Sequence, residues 1–198
     1  MALPARSAVA IRPLVRPVFV LAALVAVVGF RWAIVVAGGA PALATGLAFG
    51  TALVAVGIVG GAVLGRPRPA AIGLGMLGGL VLVGLALTSR LVAGPMIPFA
   101  PASSFLPWAG VTIVVAFAEE LVLRGALFEA VAAAAGDLAA VVLTSITFAL
   151  IHVPLYGWHV VPLDVGVGLW LGGLRLLSGG VAAPATAHAI ADLATWWL

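Results

Sequence analysis

From Val18 to Gly65 the chain carries one charged side chain, Arg31, and almost every other residue is apolar or glycine. A helix needs about 20 apolar residues to cross the hydrocarbon core of a bilayer, so this run is long enough for two spans. The remainder continues the pattern, because 65% of the 198 residues are hydrophobic and only 8% are charged. A soluble domain carries about a quarter charged residues. The composition therefore excludes a soluble domain and a disordered chain, and it indicates an integral membrane protein.

Seven apolar stretches, separated by glycine, proline or charged residues, predict an all-α fold, a polytopic transmembrane helix bundle. The predicted spans are 17–37, 42–64, 71–93, 107–135, 138–153, 165–177 and 181–198. The count becomes eight if 107–135 breaks in two. Gly136-Asp137 indicates a helix stop followed by a new helix start, and 154–164 is predicted to be a loop.

The arginines predict the orientation of the chain. Arg6, Arg12 and Arg16 precede the first span, and Arg66 and Arg68 follow the second. By the positive-inside rule, both segments and the amino terminus face the cytoplasm. The use of arginine without lysine, with abundant alanine, glycine and valine, indicates a GC-rich bacterial genome and hence a bacterial cytoplasmic membrane. The arginines form no basic stripe, so nucleic acid is not an expected partner.

The acidic residues are confined to one part of the sequence. All six carboxylates lie between Glu119 and Asp192, in otherwise apolar surroundings. Ionisable groups at membrane depth are costly, and they are kept mainly where they face a protein interior or a water-filled cavity. Cysteine is absent, which excludes disulfides, thiolate metal ligands and a cysteine nucleophile. The candidate chemistry therefore lies in the carboxyl-terminal half.

The first polar motif is Glu119-Glu120-Leu121-Val122-Leu123-Arg124. Residues four apart share a helix face, so Glu120 and Arg124 are predicted to form an ion pair. Glu119 is rotated by about 100° from Glu120 and has no partner at that spacing. A carboxylate without a local partner suits a general base. The alternative is a buried network that only holds helices together.

The second motif runs from Phe148 to His152, and a single membrane histidine is often only a packing residue. Three nearby hydroxyls can simply bond to carbonyl groups of their own helix; they belong to Thr144, Ser145 and Thr147. The third motif places His188 and Asp192 four apart, on one helix face. Three polar motifs on three helices of an apolar chain indicate a shared functional site.

Four other polar residues are interpreted as structural. Glu129 and Asp137 lie near the predicted cytoplasmic ends of their helices, where solvation and capping explain them. His159 and Asp164 fall in the predicted loop and need no catalytic role.

The order Glu-Glu-x-x-x-Arg, Phe-x-x-x-His, His-x-x-x-Asn/Asp on successive membrane helices resembles the CPBP family. This family, also called Abi, includes the CAAX prenyl proteases and bacteriocin-processing enzymes. The resemblance covers 107–198, and 1–106 match none of its motifs. We therefore treat 1–198 as one membrane domain, in which N-terminal helices of unassigned role precede a CPBP-like catalytic core.

The resemblance implies an intramembrane endopeptidase of the glutamate type. It assigns catalytic roles to Glu119, His152, His188 and Asp192. In this assignment Glu119 activates water and His152 assists it. His188 and the residue at position 192 stabilise the oxyanion of the tetrahedral intermediate. Supporting positions of the motifs are occupied by Glu120, Arg124 and Phe148.

Asp192 departs from the eukaryotic-type CAAX proteases, which carry asparagine at this motif position, whereas prokaryotic relatives also use aspartate. An ionised aspartate cannot donate a hydrogen bond to an oxyanion. Either Asp192 is protonated, or it orients His188 and leaves oxyanion stabilisation to the imidazole.

The expected partners are the lipid bilayer and a peptide or protein substrate, membrane-bound or lipidated. No cofactor is expected. A zinc-dependent peptidase is an alternative, because two histidines and a glutamate are zinc ligand types, although no His-Glu-x-x-His helix is present. A further alternative is a non-catalytic membrane protein that binds a peptide or partner helix, as an immunity protein or scaffold.

Overall fold

The computed structural model describes residues 7–38, 42–63, 68–93 and 104–198, and the described residues contain helices and no strand. The helices are α1 (Ser7–Val36), α2 (Ala42–Val59), α3 (Pro69–Ala93), α4 (Phe105–Glu120), α5 (Phe128–Ala135), α6 (Asp137–Tyr156), α7 (Val161–Ser178) and α8 (Ala182–Ala194). A π-helical segment, Leu121–Leu127, joins α4 to α5, and a 3₁₀ turn, Trp158–Val160, precedes α7.

Within the described ranges, five helical segments are long and apolar enough to cross a membrane. They are Leu14–Val36, Ala42–Val59, Pro69–Thr88, Asp137–Tyr156 and Trp158–Ser178. Large apolar side chains cover the outside of the bundle; Leu77 is 66% exposed and Leu163 is 70% exposed. Such a surface is stable in lipid rather than in water. These features confirm an all-helical membrane protein, while seven or eight spans remain a prediction.

The segment predicted as a long helix over 107–135 is one helical rod with a π segment in its middle. α4 ends at Glu120, the π segment follows at Leu121, and α5 continues from Phe128 without an intervening turn. A π segment widens the helix by one residue per turn, and such segments are frequent at functional sites. It changes the direction of the side chains immediately after Glu119 and Glu120.

The predicted loop over 154–164 is wrong. α6 continues to Tyr156 with Pro154 inside its last turn, and Gly157, at a φ of +89°, ends it. Pro162 lies at the start of α7, where the missing N–H of proline has no intrahelical acceptor to lose. Pro154 and Pro162 thus stand inside helices, and α6 is separated from α7 by Gly157 and the 3₁₀ turn that follows it. The stop predicted at Gly136 is confirmed, because its φ is +87° and α6 begins at the next residue.

The N-terminal helices share a core with the helices that carry the motifs. One cluster of buried residues joins α1 and α2 to the rod from α4 to α5 and to α6; its members include Val20, Leu24, Phe49, Leu53, Val122, Leu127 and Phe148. α3 packs instead on α8, where a Cβ added to Gly75 would lie 2.5 Å from the carbonyl oxygen of Ala183. The absence of a side chain at Gly75 allows this close helix contact.

Arg175 fixes α7 against the π segment. Its Nε donates a hydrogen bond to the carbonyl oxygen of Arg124 at 2.8 Å, and its Nη2 pairs with the carboxylate of Glu129. Solvation and capping were expected to explain Glu129, but the structure gives it a partner on another helix. Its carboxylate is also partly exposed, and a structural role for Glu129 stays a prediction.

Candidate active site

A buried ion pair lies at the centre of the bundle. Arg124 Nη1 donates to Glu120 Oε1 at 2.7 Å, and neither side chain is exposed. Arg124 Nη2 donates to the carbonyl oxygen of Gly168 at 2.9 Å, and its guanidinium lies 5.1 Å from the ring centroid of Phe148. The ion pair predicted from the four-residue spacing is present, and it ties the rod to α7 as well.

Glu119 is buried beside this pair but does not take part in it. Its side chain is 5% exposed, and the nearest imidazole nitrogen, His188 Nε2, is 3.9 Å from its Oε2. That distance is too long for a direct hydrogen bond. Within the described ranges its oxygens accept no hydrogen bond, although it interacts electrostatically with His152, His188 and Asp192. Glu119 is therefore a buried carboxylate whose lone pairs are available to a substrate or a water molecule.

His188 lies among carboxylates from two helices. Its Nδ1 is 3.1 Å from Glu120 Oε1, while its Nε2 is 3.4 Å from Asp192 Oδ2 and 3.9 Å from Glu119 Oε2. A carboxylate only accepts hydrogen bonds, so we assign a proton to Nδ1, and Nε2 faces Glu119. The surrounding negative charges stabilise a positive charge on this ring.

His152 approaches from α6 with a defined tautomer. Its Nδ1 is 2.8 Å from the carbonyl oxygen of Phe148, which can only accept, so Nδ1 carries the proton and Nε2 remains an acceptor. The ring of Phe148 lies between the two histidines, with centroids 4.7 Å from His152 and 5.3 Å from His188. Phe148 thereby holds both imidazoles in edge-to-face contact.

The hydroxyl groups on α6 do not belong to this cluster. Each donates a hydrogen bond to a carbonyl oxygen four residues earlier in the same helix, at 2.7 or 2.8 Å. The residues concerned are Thr144, Ser145 and Thr147. They match the structural interpretation made from the sequence.

Asp164, which the sequence analysis placed in a loop without a catalytic role, lies next to His152 in the structure. It lies in the first turn of α7, and its Oδ2 is 3.5 Å from His152 Nδ1. The interpretation of 154–164 as a loop removed Asp164 from consideration, but the helix start brings its carboxylate back toward α6. A signal was present, because Asp164 is one of six carboxylates, all in the half that carries the motifs. His159 lies in the 3₁₀ turn, with its ring near Gly157.

The structure thus brings the motif residues of three helices into one cluster around Glu119. It contains a carboxylate with free lone pairs, an imidazole acceptor at His152 and an imidazole donor at His188. A proton acceptor and a hydrogen-bond donor in one cluster are the elements required to add water to a carbonyl group.

Comparison with protein families gives a match over this part of the chain. Residues 101–194 match the family model described as Rce1-like, Type II CAAX prenyl endopeptidase Rce1-like. The matched segment contains all the motif residues of the cluster, and it leaves α1, α2 and α3 outside. Neither the curated proteins nor the solved structures gave a significant match.

Proposed function

We propose that this protein is an intramembrane endopeptidase in which Glu119 activates the attacking water, because residues 101–194 match the family model of the Rce1-like type II CAAX prenyl endopeptidases. One observation carries the proposal. Glu119 is buried, accepts no hydrogen bond from the described residues, and has two imidazoles within electrostatic range.

The first chemical step is the attack of water on the scissile carbonyl. Glu119 accepts one proton of the water, whose oxygen forms a bond to the carbonyl carbon as the carbonyl π electrons move to oxygen. His152 accepts a hydrogen bond from the same water through Nε2, which orients the nucleophile. Glu119 then returns its proton to the amide nitrogen as the carbon–nitrogen bond breaks, leaving a carboxyl product and an amine product.

His188 stabilises the oxyanion formed in that step. Its Nδ1 is engaged by Glu120, so a proton on Nε2 is the one available to the developing negative charge. Asp192 lies 3.4 Å from this nitrogen and its side chain is 41% exposed, which suits an ionised carboxylate that balances the charge of the ring. We propose that Asp192 orients His188 and that the imidazole alone donates to the oxyanion.

Asp164 is proposed to position His152. Its carboxylate and the carbonyl of Phe148 both face Nδ1, at 3.5 and 2.8 Å, so the proton is held on that nitrogen and Nε2 remains free to face the water. The carboxylate also stabilises any positive charge that His152 gains during the reaction. This makes Asp164 a positioning residue that acts through His152.

We expect Asp164→Asn to lower kcat by about tenfold to a hundredfold with little change in KM, because orientation of the water is lost while substrate contacts remain. Asp164→Glu should recover part of kcat. Both constants are measured on purified protein in detergent, together with the melting temperature. His159→Gln, in the neighbouring turn, serves as the matched control and should leave both constants unchanged. A fall in melting temperature with unaltered kcat in Asp164→Asn would assign the residue a structural role only.

We propose that the reaction needs no metal cofactor. In the proposed mechanism Glu119 and His152 activate the attacking water, and the step calls for no Lewis acid. Cleavage by purified protein is therefore expected to survive prolonged treatment with EDTA and 1,10-phenanthroline, with a loss below about twofold. Loss of activity that returns on addition of zinc alone would instead support the zinc-dependent alternative.

The orientation predicted from the arginines indicates from which side of the membrane a substrate reaches the candidate site. With the amino terminus in the cytoplasm, α6 runs outward and α7 runs inward, so Gly157 and the first turn of α7 lie toward the outer face. We propose that the protein resides in a bacterial cytoplasmic membrane and that its peptide substrate reaches Glu119 from that outer side.

The function is tested by comparing the membrane proteomes of cells that express the protein or its Glu119→Ala variant. We expect at least one membrane protein to accumulate uncleaved in the variant, and the matching new termini to be present only with the unaltered protein. Purified protein must then cut that substrate at the same bond. If the protein instead captures the uncleaved partner and cuts nothing, the non-catalytic peptide-binding alternative replaces the peptidase.

A further inference from the structure

Arg31 is a cation without a hydrogen-bonded partner in the described part of the chain. It lies in α1, outside the segment that matches the family, and it is half-buried. A guanidinium carries several N–H donors, yet those of Arg31 reach no acceptor among the described residues. The other arginines whose side chains the structure describes each donate hydrogen bonds: Arg16, for example, donates to the carbonyl oxygens of Gly60 and Gly61 at 2.8 Å.

Arg31 contacts an aromatic ring on the neighbouring helix. Its Cζ lies 4.4 Å from the ring centroid of Phe49 on α2, so the aromatic ring covers one face of the guanidinium. The N–H groups point outward in the plane of the guanidinium, and stacking does not occupy them. The contact with Phe49 therefore holds the guanidinium of Arg31, and the N–H groups of this guanidinium can still donate to a planar anion.

A cavity of about 260 Å³, lined in part by Arg31, lies between the end of α1 and the start of α2. Its lining includes Arg31, Ile34, Val35, Thr45 and Gly46. At roughly 30 Å³ for each water molecule, this volume exceeds that of a single small ion. Apolar walls around one cation suit an anionic group carried on an apolar chain.

Two observations connect this cavity with the candidate active site. Arg31 interacts electrostatically with Glu119 and with Tyr156 at the end of α6. In addition, a Cβ added to Gly46 would lie 2.6 Å from Cγ1 of Val111, so one wall of the cavity rests on α4, the helix that carries Glu119. The wall of the cavity formed by Gly46 thus packs against the helix that carries Glu119.

We propose that Arg31 binds a carboxylate of the peptide substrate, through paired N–H···O hydrogen bonds, and so positions the scissile bond near Glu119. This inference rests on the proposed peptidase function. A carboxylate fits because it is planar and accepts two parallel hydrogen bonds from the guanidinium edge. We assign this carboxylate to the peptide substrate because the cavity lies against α4, the helix that carries Glu119, and the substrate has to reach Glu119.

Binding is tested on the full-length Glu119→Gln protein in phosphatidylcholine nanodiscs, since this variant retains substrate without cutting it. The probes are three pools of apolar octapeptides. One pool ends in a free carboxylate, one in an amide, and one in an amide with a single internal glutamate. Peptides retained on captured nanodiscs are quantified by mass spectrometry, and the same measurement is made with the Arg31→Gln/Glu119→Gln protein.

We expect the Glu119→Gln protein to retain at least one carboxylate-bearing pool about tenfold better than the plain amide pool, and the added Arg31→Gln change to remove that preference. Comparison of the free-carboxylate pool with the glutamate pool identifies a terminal or a side-chain carboxylate as the source. Arg31→Lys should keep part of the preference, because lysine preserves the positive charge but lacks the planar pair of N–H donors. Arg16→Gln is the matched control and should keep all of it.

Other outcomes overturn the proposal. Equal retention of all pools by the Glu119→Gln protein would remove the carboxylate site. A preference that disappears when phosphatidylglycerol replaces phosphatidylcholine, with Arg31 intact, would assign the cation to a lipid phosphate.

Cleavage of the same pools by protein with Glu119 intact separates this inference from the proposed function. Arg31-dependent retention without any cleavage would leave the carboxylate site standing and remove the peptidase. Cleavage that is equally fast with and without Arg31, on every pool, would leave the peptidase standing and remove the carboxylate site.

Discussion

Glu119→Gln is expected to lower the rate of peptide cleavage by about a thousandfold or more in folded, purified protein. Glutamine has nearly the same shape, but its amide cannot accept the proton that the carboxylate takes from water. The loss should appear in kcat, measured under single-turnover conditions, because contacts made equally by the bound substrate and the transition state are preserved. No other single substitution is expected to remove as much activity with so small a change in packing.

Glu129→Gln provides the matched control for this experiment. Glu129 lies on the same helical rod, but its carboxylate pairs with Arg175 and belongs to no motif. Its substitution should leave kcat within about threefold of the unaltered protein. Appreciable cleavage by Glu119→Gln, with an unchanged melting temperature, would falsify the assignment of Glu119 as the base.

Arg124→Met is expected to produce the largest loss of stability, about 3–5 kcal/mol in the free energy of unfolding. The substitution leaves the carboxylate of Glu120 buried without its cation and removes the donor to the carbonyl of Gly168. Methionine fills much of the same volume, so the loss reports mainly the uncompensated charge. The free energy is measured by denaturant unfolding in detergent micelles.

The double variant Glu120→Gln/Arg124→Met tests that explanation. If buried charge is the cause, removing both charges restores a large part of the lost stability, because a neutral amide is easier to bury than a carboxylate. Equal instability of the single and double variants would point to lost packing against Phe148, whose ring the guanidinium covers. Arg16→Met, at a partly buried contact elsewhere in the bundle, should cost much less.

Contacts within one helix were predictable from the sequence. The spacing of four that pairs Glu120 with Arg124 and brings His188 to Asp192 needs only helical periodicity, and both contacts are present, at 2.7 and 3.4 Å. The isolation of Glu119 from that pair follows from the same periodicity. The roles assigned to these residues in catalysis remain predictions that the substitutions above test.

Contacts between helices were not predictable in the same way. The hydrogen bond from His188 to Glu120 joins residues 68 positions apart, and no periodicity encodes it. The contact of Asp164 with His152 was not expected, because 154–164 was predicted to be a loop. Proline also fits the first and last turns of helices, so these residues left the local structure ambiguous.

The apolar composition by itself determined that this chain belongs in a membrane and forms helices, because lipid offers no hydrogen bonds to the backbone and each helix satisfies its own. It also determined which polar residues are costly enough to need an explanation. Only the tertiary structure decided that Asp164 lies beside His152, that Arg175 pairs with the partly exposed Glu129, and that Arg31 lines a cavity beside α4. These contacts depend on how the helices are packed and rotated against one another, which is fixed by the shapes of many side chains together rather than by any local pattern.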